Sequence, residues 1–211
     1  MPAFDWVKRL VVHRRHPRGM FQPYGFTVPD RYPPLFRDVQ KRLEGRANLR
    51  LLSFGCATGE EIATLAGYFP GAALKGVDIN PAAIAAARAA HPEAAFAVAG
   101  STEAEPSETY DAVFCLAVLR HGDLGRDRPA RCDALIRFAE FARLTADFAR
   151  CLKPGGLLAI RHSNFRFEDT EASSAFTPLL RAPRLADTPK YGRDNARLPD
   201  AAREIVLWRK G

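Results

Sequence analysis

From Leu51 onward the chain alternates short apolar runs with stretches in which apolar residues recur every three or four positions, so strands and helices are expected in turn. The first strand is Arg50 to Phe54, and the helix after it sets Ile62, Leu65, Ala66 and Phe69 on one face before Pro70 and Gly71 close it. A second strand, ALKGVDI, ends at Asp78. Asn80 and Pro81 then supply the N-cap and first residue of an Ala-rich helix to Ala90, terminated by His91 and Pro92. Phe96 to Ala99 is a short third strand and Tyr110 to Leu119 a fourth, apolar enough to be buried on both faces.

Past the charged loop HGDLGRDRPAR, a long helix is predicted from Cys132 to Leu152, with Phe138, Phe141, Phe148 and Leu152 near one stripe. Lys153 to Gly156, KPGG, reads as a breaker that launches a fifth strand, LLAIRHS. A helix over Glu171 to Leu180, an extended stretch around Lys190 to Asn195 and a final strand, Glu204 to Arg209, complete the tail. Upstream, Pro33 and Pro34 open a helix with Leu35, Phe36, Val39 and Leu43 on one face. Strands that alternate with helices argue for an α/β fold with a parallel sheet flanked by helices.

Length and composition, 211 residues at 47% apolar, allow one domain with a substantial core. The net charge of +7 is uneven: residues 1 to 50 hold 11 Lys or Arg against 4 Asp or Glu, and the remainder balances. The expected organisation is therefore a basic N-terminal cap or lid over 1–48 and a core domain over 49–211. Such a segment suits phosphate, anionic lipid or an acidic substrate, and equally a solvated cationic face. No apolar run approaches the ~18 residues of a membrane helix, and Leu10 to Val12 is too short for a secretory signal, so a cytoplasmic protein is expected. Cys56, Cys115, Cys132 and Cys151 show no CxxC spacing, so no metal site is expected.

The candidate chemistry starts in LLSFGCATGEEIATLAGYF, a strand, a small-residue turn and a helix. Gly55 and Gly59 bracket Cys56, Ala57 and Thr58, so the backbone can approach a ligand closely, and amides at the helix start favour a carboxylate. Asp78, at the end of the second strand, is placed to accept hydrogen bonds from both ribose hydroxyls of an adenosine cofactor. The G-x-G-x-x-G spacing of dinucleotide sites is not met, because Glu60 stands where the third glycine belongs.

These residues resemble the class I S-adenosylmethionine-dependent methyltransferases, whose first motif, acidic-x-Gly-x-Gly-x-Gly, stands here as Ser53-Phe54-Gly55-Cys56-Ala57-Thr58-Gly59. GCATGEE is closest to the form in chemotaxis-receptor methyltransferases, which also lack the first acid. GVDIN, YDAVFCLAVL and LKPGGLLAI extend the resemblance over residues 48 to 211. It implies a Rossmann-like fold, a mostly parallel seven-stranded sheet with an antiparallel C-terminal edge strand and helices on both faces. It also implies S-adenosyl-L-methionine as cofactor, with Gly55, Cys56, Ala57, Thr58 and Gly59 forming the turn around it. Asp78 and Ile79 would meet the ribose, Ser101 and Thr102 the adenine, and Leu116 the fourth-strand side. Glu60 or Glu61 is the candidate to replace the missing acid at the methionine end, and both also suit a helix N-terminus.

His121, after the fourth strand, is the expected general base for a protonated acceptor, and His162 and Asn164 are expected to line the substrate pocket. Tyr24 would fold an aromatic face over the sulfonium. The acceptor is expected to be a small molecule or a protein side chain. An RNA acceptor tracked by the basic segment stays open but is not favoured, and so does a non-catalytic scaffold that keeps the cofactor.

Overall fold

A computed structural model of the chain describes residues 20–22 and 28–211. Helix α1 (Pro33–Leu43) precedes β1 (Arg50–Phe54), α2 (Glu60–Tyr68), β2 (Ala73–Asp78), α3 (Pro81–Ala90) and β3 (Ala95–Val98). There follow β4 (Tyr110–Leu116), a short α4 (Gly122–Asp127), α5 (Phe138–Cys151) and β5 (Leu152–Arg161). Two 3-10 turns, Phe167–Asp169 and Glu171–Ala175, lead into β6 (Phe176–Pro183), and β7 (Arg203–Lys210) ends the chain.

The seven strands form one sheet in the order β3-β2-β1-β4-β5-β7-β6. All pairs from β3 to β5 are parallel, whereas β7 runs antiparallel to both its neighbours. Successive strand residues go to opposite faces. Leu51, Phe114 and Leu157 pack with Leu35, Phe36, Val39, Ile62 and Ile84 on one side, and Leu52, Val113 and Leu158 with Phe141, Leu144 and Phe148 of α5 on the other. The four apolar positions expected on the first helix are all buried, so α1, within the expected cap, is a layer of the core.

Several expectations are corrected by pairing that no local pattern reveals. The antiparallel strand β7 is inserted between β5 and β6, and β6 is the edge. The helix expected over Glu171 to Leu180 is two 3-10 turns and that edge strand, because Phe176 to Pro183 pair with β7, with Pro178 at a register shift where an edge tolerates it. KPGG is no breaker: β5 starts at Leu152 straight from α5, and the four residues are taken up by an irregularity that pairs Tyr110 with Leu152 and Ala112 with Leu157. The helix expected from Cys132 begins at Phe138, since the segment before it bonds elsewhere, with Arg131 bridged to Ala196 and the Cys132 N–H donating to Asn195 O at 3.0 Å. The fourth strand stops at Leu116, before Ala117 with φ 64°. The third strand lies one residue earlier than expected, and of Lys190 to Asn195 only Tyr191 is paired, to Arg197. No helix among the described residues is long and apolar enough to cross a membrane.

The cap of α3 is as expected: Asn80 Oδ1 accepts from the N–H groups of Ala82 (3.0 Å) and Ala83 (3.4 Å), with Pro81 opening the first turn. Asn80→Ala should lower the unfolding free energy by about 1 kcal/mol, read as a lower urea midpoint at unchanged slope. An unmoved midpoint would mean that the cap adds nothing to stability.

Candidate functional site

The strand order reverses between β1 and β4, the place where open α/β sheets leave a crevice beyond the carboxyl ends of their strands. Around it the chain turns through side-chain-bearing residues with left-handed backbones, Ala57 (φ 47°), Ala117 (φ 64°) and His162 (φ 59°), after β1, β4 and β5. Such conformations are uncommon and collect at functional sites.

One half of the site is the turn after β1. Gly55 (φ 78°) lies so near the end of β4 that a methyl group on it would stand 2.2 Å from Val118 Cγ2. The N–H groups of Gly55 and Cys56 donate to Val77 O at 2.7 and 3.2 Å, and that of Gly59 to Cys56 O at 3.0 Å. Ala57 N–H donates to Asp78 Oδ2 at 3.0 Å. These four amides hold the turn to itself and to β2. Cys56 turns its thiol inward, toward the space that Gly76 leaves and within 3.9 Å of Ala57 O.

Asp78 Oδ1 accepts from the Asn80 N–H at 2.8 Å, and burial raises its carboxyl against the pull of its backbone donors. Each carboxylate oxygen accepts more than one hydrogen bond, so two ribose hydroxyls remain within its capacity. Thr58 Oγ1 donates to Glu60 Oε1 at 2.5 Å, while Glu60 Oε2 is enclosed with no partner among the described residues. Ser53, standing where an acid was expected, donates its hydroxyl to Glu61 Oε1 at 2.7 Å, and burial pushes Glu61 up to about 7. Asp78, Glu61 and Glu60 lie close enough together that their charges add to burial in raising the Cys56 thiol. Three carboxylates without a salt-bridge cation among the described residues suit a positively charged ligand, as a sulfonium carrying an ammonium group is.

Ile79 is half-buried beside Asp78, and Leu116 is buried at the end of β4. Ser101 makes a local turn, its Oγ accepting from the Glu103 N–H at 3.4 Å. Thr102, expected to read adenine, is fully buried with its hydroxyl unpartnered among the described residues. Arg150 fixes that connection inward by donating to the carbonyls of Thr102, Glu103 and Glu105.

The other half, at the ends of β4 and β5, is basic. The Arg120 side chain is only 11% exposed; its Nη1 lies 3.1 Å from Asp187 Oδ2 and also contacts the His162 ring, while Nε is enclosed without a partner among the described residues. His162 is bonded on both sides, Nδ1 3.1 Å from the Tyr32 hydroxyl and Nε2 3.0 Å from Asp187 Oδ1. Burial, then the charge of Arg120, pushes His162 down to about 4 against the opposing Asp187, so the ring is neutral at neutral pH. Burial raises Asp187, but its interactions with His162 and Arg120 outweigh that and leave it lowered. Glu204 joins Arg161 and Lys190, each at 2.5 Å. Tyr32 stands between the halves: burial raises its phenol, Arg31, Arg161 and Arg120 pull it down, and Glu61 pushes it up.

His121, the expected base, caps α4, its Nδ1 accepting from the Asp123 N–H at 3.3 Å. Asn164, expected to line the substrate pocket, is 1% exposed and pins the surrounding loops. Its Oδ1 accepts from the His121 N–H at 2.8 Å and its Nδ2 donates to Pro189 O at 2.8 Å. Tyr24 lies outside the described residues. Tyr32, Arg31, Arg120 as a charged site residue, and Asp187 were not anticipated; the one available signal was a lone cation closing the apolar run YDAVFCLAVL. Among the described residues no group of three or more His, Cys, Asp or Glu is arranged to hold a metal ion.

Residues 52–158 match the family model described as a methyltransferase domain. Two trans-aconitate 2-methyltransferases are similar: that of Methylobacterium radiotolerans, 28% identical over 75% of this chain and 59% of its own length, and that of Methylobacterium nodulans, 30% identical over 59% and 42%. The chain thus spans about half the length of these relatives. Among solved structures, the YcgJ protein of Bacillus subtilis superimposes with a TM-score of 0.53 at 13% identity, over 85% of this chain and 98% of that one. The 4+2 cyclase SpnF does so with 0.51 at 18%, over 74% and 61%, so the shared fold by itself does not fix the reaction.

Glu61 makes stability depend on pH. Its folded value, about 7, exceeds the ordinary 4.5, so the native state holds the proton more tightly than the unfolded chain; the resulting stability is complete below 4.5 and lost as pH rises through about 7. His162, held at about 4 against its ordinary 6.5, acts in the opposite sense over part of this range, so Glu61 is read by comparison: going from pH 5.5 to pH 8 should change the urea midpoint of the ligand-free wild type less favourably than that of Glu61→Gln. An equal change in both proteins would exclude Glu61 as a source.

Proposed function

The chain belongs to the methyltransferase-domain family, the class I S-adenosylmethionine-dependent methyltransferases, and on that premise we propose that it transfers a methyl group to a carboxylate of a small anionic molecule. The observation that carries the acceptor class is Arg120, an enclosed guanidinium whose Nε has no partner among the described residues, at the crevice-facing end of β4. An unsatisfied donor on a buried cation favours an anion that can take it. The two similar trans-aconitate 2-methyltransferases are named for a carboxylate acceptor, which agrees with that reading.

S-adenosylmethionine, when bound, supplies a methyl group already activated on a sulfonium. Gly55 would give it backbone room, Asp78 would accept from its ribose hydroxyls, and Glu60 and Glu61 would face its positive end in place of the acid absent at Ser53. Arg120 holds the acceptor, helped by Arg31, which lies 5.9 Å from the Tyr32 ring centroid. A carboxylate is ionised at neutral pH and needs no base, so His162 orients Tyr32 and takes no proton from the acceptor. To a carboxylate the cofactor would supply that methyl, the carbon–sulfur electron pair remaining on sulfur, so that a methyl ester and a neutral thioether would result. Opposite charges thus cancel, a change that an enclosed, water-poor site favours. Orientation between the two halves contributes on the order of 7–11 kcal/mol to lowering the barrier.

Incubation with S-adenosylmethionine and a panel of acceptors should release S-adenosylhomocysteine with di- and tricarboxylates, trans-aconitate among them. Methylation of amines or RNA with none of carboxylates would overturn the acceptor class. Gly55→Ala should abolish S-adenosylhomocysteine binding, because the added methyl meets Val118. Arg120→Leu should keep that binding and lose on the order of 100-fold in kcat/KM for the carboxylate; equal losses of binding in both variants would mean that Arg120 serves the fold.

A further inference from the structure

We infer that Asp187 is a built-in competitor of the acceptor: its carboxylate occupies the anion position beside Arg120 and His162 that the acceptor's own carboxylate must take. The inference rests on the carboxylate-acceptor reading and adds to it a residue that selects among carboxylates.

Asp187 sits in the β6–β7 connection, residues 184–202, which closes over the ends of β4 and β5. It is the one carboxylate within salt-bridge distance of Arg120 among the described residues. Its side chain is 59% exposed, against 11% for Arg120 and 8% for His162, so the anion lies on the solvent side of two enclosed groups. It takes one guanidinium nitrogen and one ring nitrogen, and Nε of Arg120 is left unpartnered. A planar guanidinium offers a fork suited to bidentate carboxylates, and a single-point contact leaves that fork incompletely used.

The connection is held by bonds other than those of the Asp187 carboxylate. Pro189 O accepts from Asn164 Nδ2, Tyr191 N–H donates to Asn164 O at 2.9 Å, and Lys190 pairs with Glu204. Ala186 O accepts from Arg128 Nη2, and Gly125 lacks the Cβ that would stand 2.2 Å from Asp187 O. The side chain can therefore swing into water while the backbone stays in place, and an exposed partner leaves at small cost.

Charge decides which acceptor gains from the exchange. Around the site Arg31, Arg120, Arg161 and Lys190 face Asp187, Glu204 and Glu168, a surplus of one positive charge with the competitor still in place. A monocarboxylate replaces one carboxylate by another, whereas a di- or tricarboxylate also meets the surplus. Asp187 thus sets a threshold that acceptors with several carboxylates pass and monocarboxylates do not.

The test is calorimetric titration of trans-aconitate, and separately of acetate, into protein saturated with S-adenosylhomocysteine at fixed ionic strength. Wild type is compared with Asp187→Asn and with Asp200→Asn; Asp200, in the same connection, pairs with Arg128 and Arg184 and makes the same change in net charge. If Asp187 fills the anion position about nine-tenths of the time, its removal tightens trans-aconitate binding about 10-fold, and Asp200→Asn leaves it unchanged. Acetate should bind measurably only to Asp187→Asn. Wild type that binds trans-aconitate as tightly as Asp187→Asn, or more so, would overturn the inference and leave the acceptor class intact. Equal tightening in both variants would reduce the effect to net charge and overturn it too. If no protein binds any carboxylate while all bind S-adenosylhomocysteine, the inference falls together with the acceptor class.

Discussion

A guanidinium enclosed at the end of β4 has to be matched by negative charge, and the basic half of the molecule is arranged around that requirement. Arg120 draws Asp187 across from the β6–β7 connection, and burial together with the Arg120 charge keeps His162 from becoming a cation. Arg161 and Lys190 meet the same demand through one shared carboxylate, Glu204 at the start of β7. Each enclosed cation is therefore tied to the β6–β7 segment, and the connection is ordered as a consequence of charge and not of apolar packing alone.

The acidic half obeys a different constraint. Three carboxylates gather around one turn, and the turn uses its own amides to stay closed on β2. Between the two halves stands Tyr32, close enough to sense both signs. Asn164 braces the basic side: its side chain and backbone together tie the end of β5 to His121, Leu119, Pro189 and Tyr191.

Sequence legibility followed the length of chain over which each signal is written. The turn after β1, the Asn80-Pro81 start of α3 and the buried stripe of α1 are local patterns, and each is found where the pattern puts it. KPGG and the segment Glu171 to Leu180 were misread because their conformation is decided by partners, Tyr110 for the first and β7 for the second. The acidic half of the candidate site is local in the same way, being one turn and one strand end. The basic half is assembled from Tyr32, Arg120, His162 and Asp187, with 130 residues between the first and His162. No periodicity spans that separation, and Asn164, singled out for its chemistry, has its side chain spent on backbone.

The place of β7 has a consequence for how such a protein can change. Because β7 returns antiparallel between β5 and β6, the segment 184–202 leaves the sheet and re-enters it on the same rim, with paired strands fixing both ends. It is in effect a cassette: one continuous stretch carries Asp187, which answers Arg120, and Lys190, and the turn after β1 lies elsewhere in the chain. Exchange of that stretch between relatives would rewrite what the crevice accepts in a single genetic step, with the sheet and the donor half inherited intact.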